Sequence, residues 1–172
     1  MSGAAPSVAP AAYTETMARF ATGVTVLTVR DDRDDIGSTV SAFTSVSADP
    51  PSVLVGLAAH SYLCEVLDAQ GAFAVSVLAA DQRALAGRFA AEGRPSARLL
   101  LAEEPHRRGE RTGALVLEDA VAALECVVAQ RVPAGDHVLY IAEVAGLPDV
   151  GRGRADQAGP LLRFGGRYRT LG

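Results

Sequence analysis

Residues Gly37 to Pro51 read GSTVSAFTSVSADPP, and the fold turns on how this stretch is understood. Ser38, Thr39, Ser41, Thr44, Ser45 and Ser47 place six hydroxyl side chains between positions 38 and 47. A strand with one buried face alternates polar and apolar residues. Here the hydroxyls fall on both faces, and composition alone gives a polar edge strand. The run ends in Asp49, Pro50 and Pro51. Proline has no amide hydrogen for a sheet and pushes the residue before it towards extended backbone, so pairing stops there. An extended backbone with short hydroxyl side chains offers N–H and O–H groups to a polar, planar ligand.

On the N-terminal side, Val24 to Val29 (VTVLTV) is β-branched and predicts a strand that ends in the charged turn RDDRDD, residues 30–35. Tyr13 to Ala21 predicts a short helix with Met17 and Phe20 on one face and Thr14 as its cap. Residues 1–12 are small and proline-bearing, with no basic start and no long apolar run, and are expected to be a disordered tail. The remainder, 13–172, is long enough for one domain with a real core.

On the C-terminal side, SVLVGLA (52–58) predicts a strand, and Ser61 caps a helix, YLCEVLDAQ (62–70), that Gly71 closes. Leu63, Val66 and Leu67 form its buried stripe. Phe73 to Leu78 predicts an alternating strand. Asp81 then caps QRALAGRFA (82–90), in which Leu85 and Phe89 stack one turn apart. From Ala91 to Gly113 the pattern dissolves into charge, proline and glycine around Leu99, Leu100 and Leu101, and a loop is expected. Ala120 to Val132 and His137 to Leu147 are apolar runs joined by PAGD (133–136), a hairpin whose loop is expected to exceed two residues. GRGRADQAG (151–159) is a connector, and PLLRFGGRYRTL (160–171) is a last strand broken by glycines.

Many strands, few helices and no βαβ alternation predict a mainly β protein, a small antiparallel barrel. No GxGxxG follows a first strand, which argues against a Rossmann domain. A net charge of −4 gives no footprint for nucleic acid or a membrane surface, and no run reaches transmembrane length. All 16 cationic residues are arginine. Lysine chemistry is thereby excluded, and any phosphate must be held by arginine, a hydroxyl or backbone N–H groups. Cys64 and Cys126 match neither a redox pair nor a zinc pattern and predict reduced, buried thiols in a cytoplasmic protein. His60 and Cys64 have helical metal spacing but lack further ligands, so no metal site is expected.

GSTVSAFTSVSADPP closely resembles the signature of the flavin reductase family, the small partners of two-component flavin monooxygenases. RFATGVTVLT (19–28), GAFAVSVLAADQRALAGRF (71–89), Leu124-Glu125-Cys126, Gly135-Asp136-His137 and PLLRFGGRYR (160–169) resemble further family blocks in the same order. The resemblance implies an FMN-binding split barrel of antiparallel Greek-key type, usually a homodimer. It also implies an NAD(P)H:flavin oxidoreductase that reduces FMN or FAD with NADH or NADPH and supplies a separate monooxygenase.

By that resemblance Thr39, Val40, Ser41 and Ala42 lie along the isoalloxazine ring, and Thr44, Ser45 and Ser47 by the ribityl chain and phosphate. Ser61, Arg88 and Phe89 lie near the phosphate, with helix-end N–H groups favouring an anion at Ser61 on physical grounds too. His137, with Gly135 and Asp136, lies near the nicotinamide, and Tyr168 either covers the cofactor or closes the barrel. Ser76 and Leu63 depart from the family pattern, which often has asparagine and threonine there. A non-catalytic flavin-binding protein on the same fold is the alternative, and an oxidase of the pyridoxamine-phosphate type a more distant one.

Overall fold

The computed structural model describes residues 8–152 and 157–171; positions 1–7 of the expected 1–12 tail and 153–156 of the connector lie outside the described residues, and Pro10 to Ala12 of that tail are helical. The first helix, α1 (Pro10–Met17), starts three residues before Tyr13. Proline suits a first helical turn because its missing N–H would have no partner there. Thr14 is therefore interior, its hydroxyl donating back to the Pro10 carbonyl at 2.9 Å, and Phe20 lies beyond the helix.

Seven antiparallel strands form the main sheet: β2 (Thr25–Val29), β3 (Ile36–Val40), β4 (Phe43–Ala48), β5 (Pro51–Ala58), β6 (Ala72–Val77), β9 (Ala122–Ala134) and β10 (His137–Gly146). Their order is β3-β2-β6-β9-β10-β5-β4. The two edges, β3 and β4, are consecutive in the chain, with only Ser41 and Ala42 between them. Three residue steps span at most about 11 Å, so the sheet must curl until its edges meet. That is how an open seven-stranded order becomes a split barrel.

A second sheet, β1 (Thr22–Gly23), β11 (Leu162–Phe164) and β12 (Arg167–Arg169), covers one end, and the expected single last strand is a hairpin. Gly165 and Gly166 both have positive φ (60° and 71°), as a two-residue turn of this hand demands. The β9–β10 loop is also shorter than expected. Ala134 pairs with His137, so Gly135 and Asp136 alone make the turn, with Gly135 at φ 64°.

Helix α2 (Tyr62–Gln70) forms as read: the Ser61 hydroxyl accepts from the Cys64 N–H at 3.2 Å, and Gly71 is left-handed. Leu63, Val66 and Leu67 pack with Leu27, Val55, Phe73 and Tyr140 in the main core. Cys64 joins them, its Sγ 2.9 Å from the Tyr140 hydroxyl, and both cysteines are free and buried. Burial, with Glu125 beside it, pushes the Cys126 thiol up to about 12, which removes it from thiolate chemistry.

Strand β6 does not alternate. Phe73 to Ser76 are all buried, because Phe73 and Val75 face the main core while Ala74 meets Ala114, Val116 and Ala123 on the other side. Ser76 accepts from the Leu117 N–H and Leu63 is in the core, so neither family departure points at a ligand surface. Before α3 (Arg83–Ala90), a single turn of 3-10 helix contains Asp81, and Gln82 Oε1 accepts from the Ala79 N–H at 2.8 Å.

The stretch expected as a loop is built: α4 (Ala97–Leu100), β7 (His106–Arg108) and, just beyond it, β8 (Leu115–Leu117). Two buried carboxylates order it. Asp35, from the charged turn, is wholly buried and accepts from Arg98 Nε (2.6 Å) and both Arg108 Nη groups (2.6 and 2.8 Å). Glu125 accepts from the Arg111 and Thr112 N–H groups and the Thr112 hydroxyl at 2.8–2.9 Å. Among the described residues no helix is long and apolar enough to cross a membrane.

Burial alone would raise the Asp35 carboxyl, but hydrogen bonds and charge from Arg108 and Arg98 outweigh it and hold it below the usual carboxylate value. A lowered folded value means that Asp35 stabilises the fold fully above the unfolded-chain value near pH ~4 and loses that contribution as pH falls through the folded value. Asp35→Asn is expected to cost about 3 kcal/mol at pH 7 by leaving two guanidiniums around a neutral group. Urea unfolding at pH 7 and pH 3 should show the gap from wild type narrowing in acid; an equal gap at both would contradict the assignment.

Candidate functional site

The seam between β3 and β4 is where the hydroxyl segment lies. Each strand is paired on one side only, β3 to β2 and β4 to β5, so each presents unpaired backbone groups along its outer edge. Ser41, Ala42, Thr44, Ser45 and Ser47 are exposed. The Ser41 and Ser45 hydroxyls make no hydrogen bond among the described residues, whereas Thr44 turns to the Ser45 carbonyl (3.3 Å) and Ser47 accepts from the Asp49 N–H (3.2 Å).

The two residues before the crossing are different. The Thr39 hydroxyl donates to the Ala86 carbonyl of α3 at 2.6 Å, and Val40 is a core residue at 5% exposure. Both therefore have backbone rather than side chains to offer a ligand. Phe89 is wholly buried, its ring so close to Gly37 that a Cβ there would lie 2.7 Å from it.

Register brings the other candidates to the same place. The Gly56 N–H donates to the Ala42 carbonyl at 2.8 Å, and Gly56 faces Leu139 on its other side. His137 is two residues further along β10, about 7 Å, opposite Ala58. The Ala59 N–H donates to the Asp136 carbonyl (2.9 Å) and the Ser61 N–H to the Ala58 carbonyl (3.0 Å). The Gly135–His137 hairpin tip, the α2 N-terminus and the seam thus share one end of the β5–β10 pair.

At that tip His137 Nδ1 lies 2.8 Å from Asp136 Oδ1. The hydrogen bond and charge of His137 hold the Asp136 carboxyl below its usual value. An ionised carboxylate only accepts, so Nδ1–H is the donor in this contact, and Nε2 makes no hydrogen bond among the described residues.

Two arginines flank β3 from the α3 side. Arg88 forms an ion pair with Glu104. Arg94, in the stretch that sequence left without an element, donates from Nε to the Gly37 carbonyl (2.7 Å) and from Nη1 to the Ala91 carbonyl (3.3 Å). Tyr168 is not at the seam's hydroxyls. Its ring lies 5.2 Å from the Arg163 guanidinium and packs on the second core cluster, with Phe89, Val24 and Leu161.

The donor set suits a phosphorylated ring: backbone edges and small residues for a flat polar heterocycle, free hydroxyls for a polyol, and a helix N-terminus with arginines for phosphate. A cavity of about 580 Å³ lies elsewhere, at the Asp35 end of β3, lined by Arg30, Asp31, Arg98, Arg108 and Arg111. Its walls are mostly charged, with Gly109, Thr112 and Gly113 between, and carry no large apolar side chain for a ring.

A family profile described as a flavin reductase like domain matches residues 17–172. The chain is 40% identical over 163 residues to an NADH-dependent FMN reductase of Streptomyces nodosus subsp. asukaensis, covering 92% of this chain and 83% of that one. The flavin reductase component of a bacterial two-component tryptophan halogenase superposes with a TM-score of 0.85 at 34% identity, covering 95% and 98% of the two chains. An NADH:FAD oxidoreductase of Streptomyces globisporus C-1027, solved in complex with NAD and FAD fragments, gives 0.84 at 33% identity, with 98% of each chain covered.

The contact between Gly37 and Phe89 makes a prediction about the seam's support. Gly37→Ala is expected to cost roughly 1–3 kcal/mol by overpacking, and Phe89→Leu in the same chain to restore part of it. Thermal unfolding of the single and double variants measures this; strict additivity would show that the two positions do not press on each other.

Proposed function

This chain belongs to the flavin reductase-like family, and from that premise we infer that it is an NAD(P)H-dependent flavin reductase. It binds FMN or FAD along the β3–β4 seam, takes hydride from NADH or NADPH, and supplies reduced flavin to a separate monooxygenase. The observation that carries this reading is the two-residue crossing at Ser41 and Ala42, exposed and edged by unpaired backbone, with the Asp136–His137 tip at the same end of the sheet. Flavin, when bound there, supplies the ring position that accepts hydride from a nicotinamide.

The chain's own work is positional, since this transfer needs no strong base. Backbone of Thr39 and Val40, with Ser41 and Ala42, lines the ring. Thr44, Ser45 and Ser47 follow the ribityl chain, and the Ser61 helix end receives phosphate. Arg88 reaches phosphate by exchanging Glu104 for it. Phe89 supports the seam from the core, and Tyr168 closes the barrel end nearest it. Gly135 sets the tight turn that aims the next two residues. Asp136 orients the His137 ring, and Nε2 meets the nicotinamide half of NAD(P)H.

The functional unit spans 13–172 and works as a homodimer in the cytoplasm. Exposed Val46, Val127 and Val132 on the β4 and β9 surfaces are apolar area of the kind a second copy covers. Reduced, buried Cys64 and Cys126 agree with an intracellular setting.

Purified protein is expected to oxidise NADH or NADPH only when riboflavin, FMN or FAD is added, in a steady-state assay crossing both nicotinamides with the three flavins. Flavin binding without turnover would favour the non-catalytic alternative. His137→Ala is expected to lower kcat/KM for the nicotinamide about tenfold or more while leaving flavin affinity within twofold. Equal loss in both would make His137 a residue of the fold rather than of the hydride step.

A further inference from the structure

Of the two arginines beside β3, one is neutralised and the other is not. Arg88 is in an ion pair with Glu104. Arg94 is half-buried, and its hydrogen bonds go to two backbone carbonyls, Gly37 and Ala91, with no carboxylate partner among the described residues. Its burial lowers the guanidinium's pKa, the mark of a cation short of compensating charge. Two carbonyls use part of the fork; arginine has five N–H donors, and the Nη2 pair makes no bond to the protein among the described residues. Partly desolvating a cation without a counter-charge is costly, and an arriving anion relieves that cost.

Place and charge agree. Gly37 opens the hydroxyl segment, two residues before Thr39, and Ala91 follows the end of α3. Arg94 is thereby fastened at both ends of the α3–β3 contact with part of its fork unused. The proposal rests on the flavin reading above. We propose that Arg94 is the principal anion-holding residue of the flavin site and takes the phosphate of FMN or the pyrophosphate of FAD, while Arg88, held by Glu104, contributes less. An arginine fork matches phosphate oxygens bidentately, and here there is no carboxylate to displace first.

The test compares riboflavin, which lacks phosphate, with FMN and FAD, by flavin fluorescence titration of wild type, Arg94→Ala, Arg94→Gln and Arg88→Ala. Glutamine retains a donor for the Gly37 carbonyl without the charge, and melting temperatures of all four report on the fold. Arg94→Ala and Arg94→Gln should each weaken FMN binding roughly ten- to a hundredfold and leave riboflavin within twofold. Arg88→Ala should cost FMN less than either, and added salt should weaken FMN binding more in wild type than in Arg94→Gln.

Equal weakening of riboflavin and FMN would overturn the proposal and make Arg94 a structural tie. So would unchanged FMN affinity in both Arg94 variants, or a phosphate dependence carried by Arg88 alone. Wild-type protein that binds none of the three flavins would instead overturn the flavin reading itself, and this assignment with it.

Discussion

Two residues, Ser41 and Ala42, join the opposite edges of a seven-stranded sheet, and much of the structure answers to that constraint. Strand order puts β3 and β4 furthest apart, while the chain allows them only about 11 Å. The sheet must close. Closure comes from a short covalent crossing rather than from a β3–β4 ladder. A barrel normally abolishes its edges; this one keeps two strands that are each paired on one side only. The segment that closes the barrel thus runs along both edge strands.

Support for that crossing comes from behind. Phe89 fills the space that Gly37 leaves, and Thr39 is tied to α3 through the Ala86 carbonyl. Further back, Asp35 fastens the start of β3 to α4 and β7 through Arg98 and Arg108, and Glu125 gathers the turn that follows β7. Rigid backing of this kind suits a site whose contribution is positional. The charges that look like a solvated turn in RDDRDD divide sharply by burial. Asp32 is exposed, whereas Asp35 is inside.

Legibility followed the range of the interaction. The α2 cap at Ser61, its Gly71 terminus and the β2 strand are set by neighbours within a few residues, and they stand where the sequence puts them. Helix α1 was misplaced because Pro10 and Thr14 compete as start signals and the first-turn proline prevails. The β9–β10 turn is tighter than expected, and the glycine break in the last strand is itself a hairpin turn, because turn length depends on the register of the strands joined. The stretch 91–113 was illegible for a stronger reason. Its order comes from Asp35 and Glu125, carboxylates well separated in sequence from most of the groups they hold.

By itself, then, the sequence determined the class: a mainly β barrel, the hydroxyl segment as its point of interest, a capped helix beside it, and the family to which these blocks belong. Those follow from periodicity, local capping and the order of motifs, all carried by short spans of chain. Only the tertiary structure decided which of those residues have anything left to offer a ligand. Thr39 and Val40 spend their side chains on α3 and the core, Arg88 meets Glu104, and Arg94 meets two backbone carbonyls and no carboxylate among the described residues. The physical reason is that a side chain's availability depends on partners brought together by folding, and no local pattern records which of them will arrive.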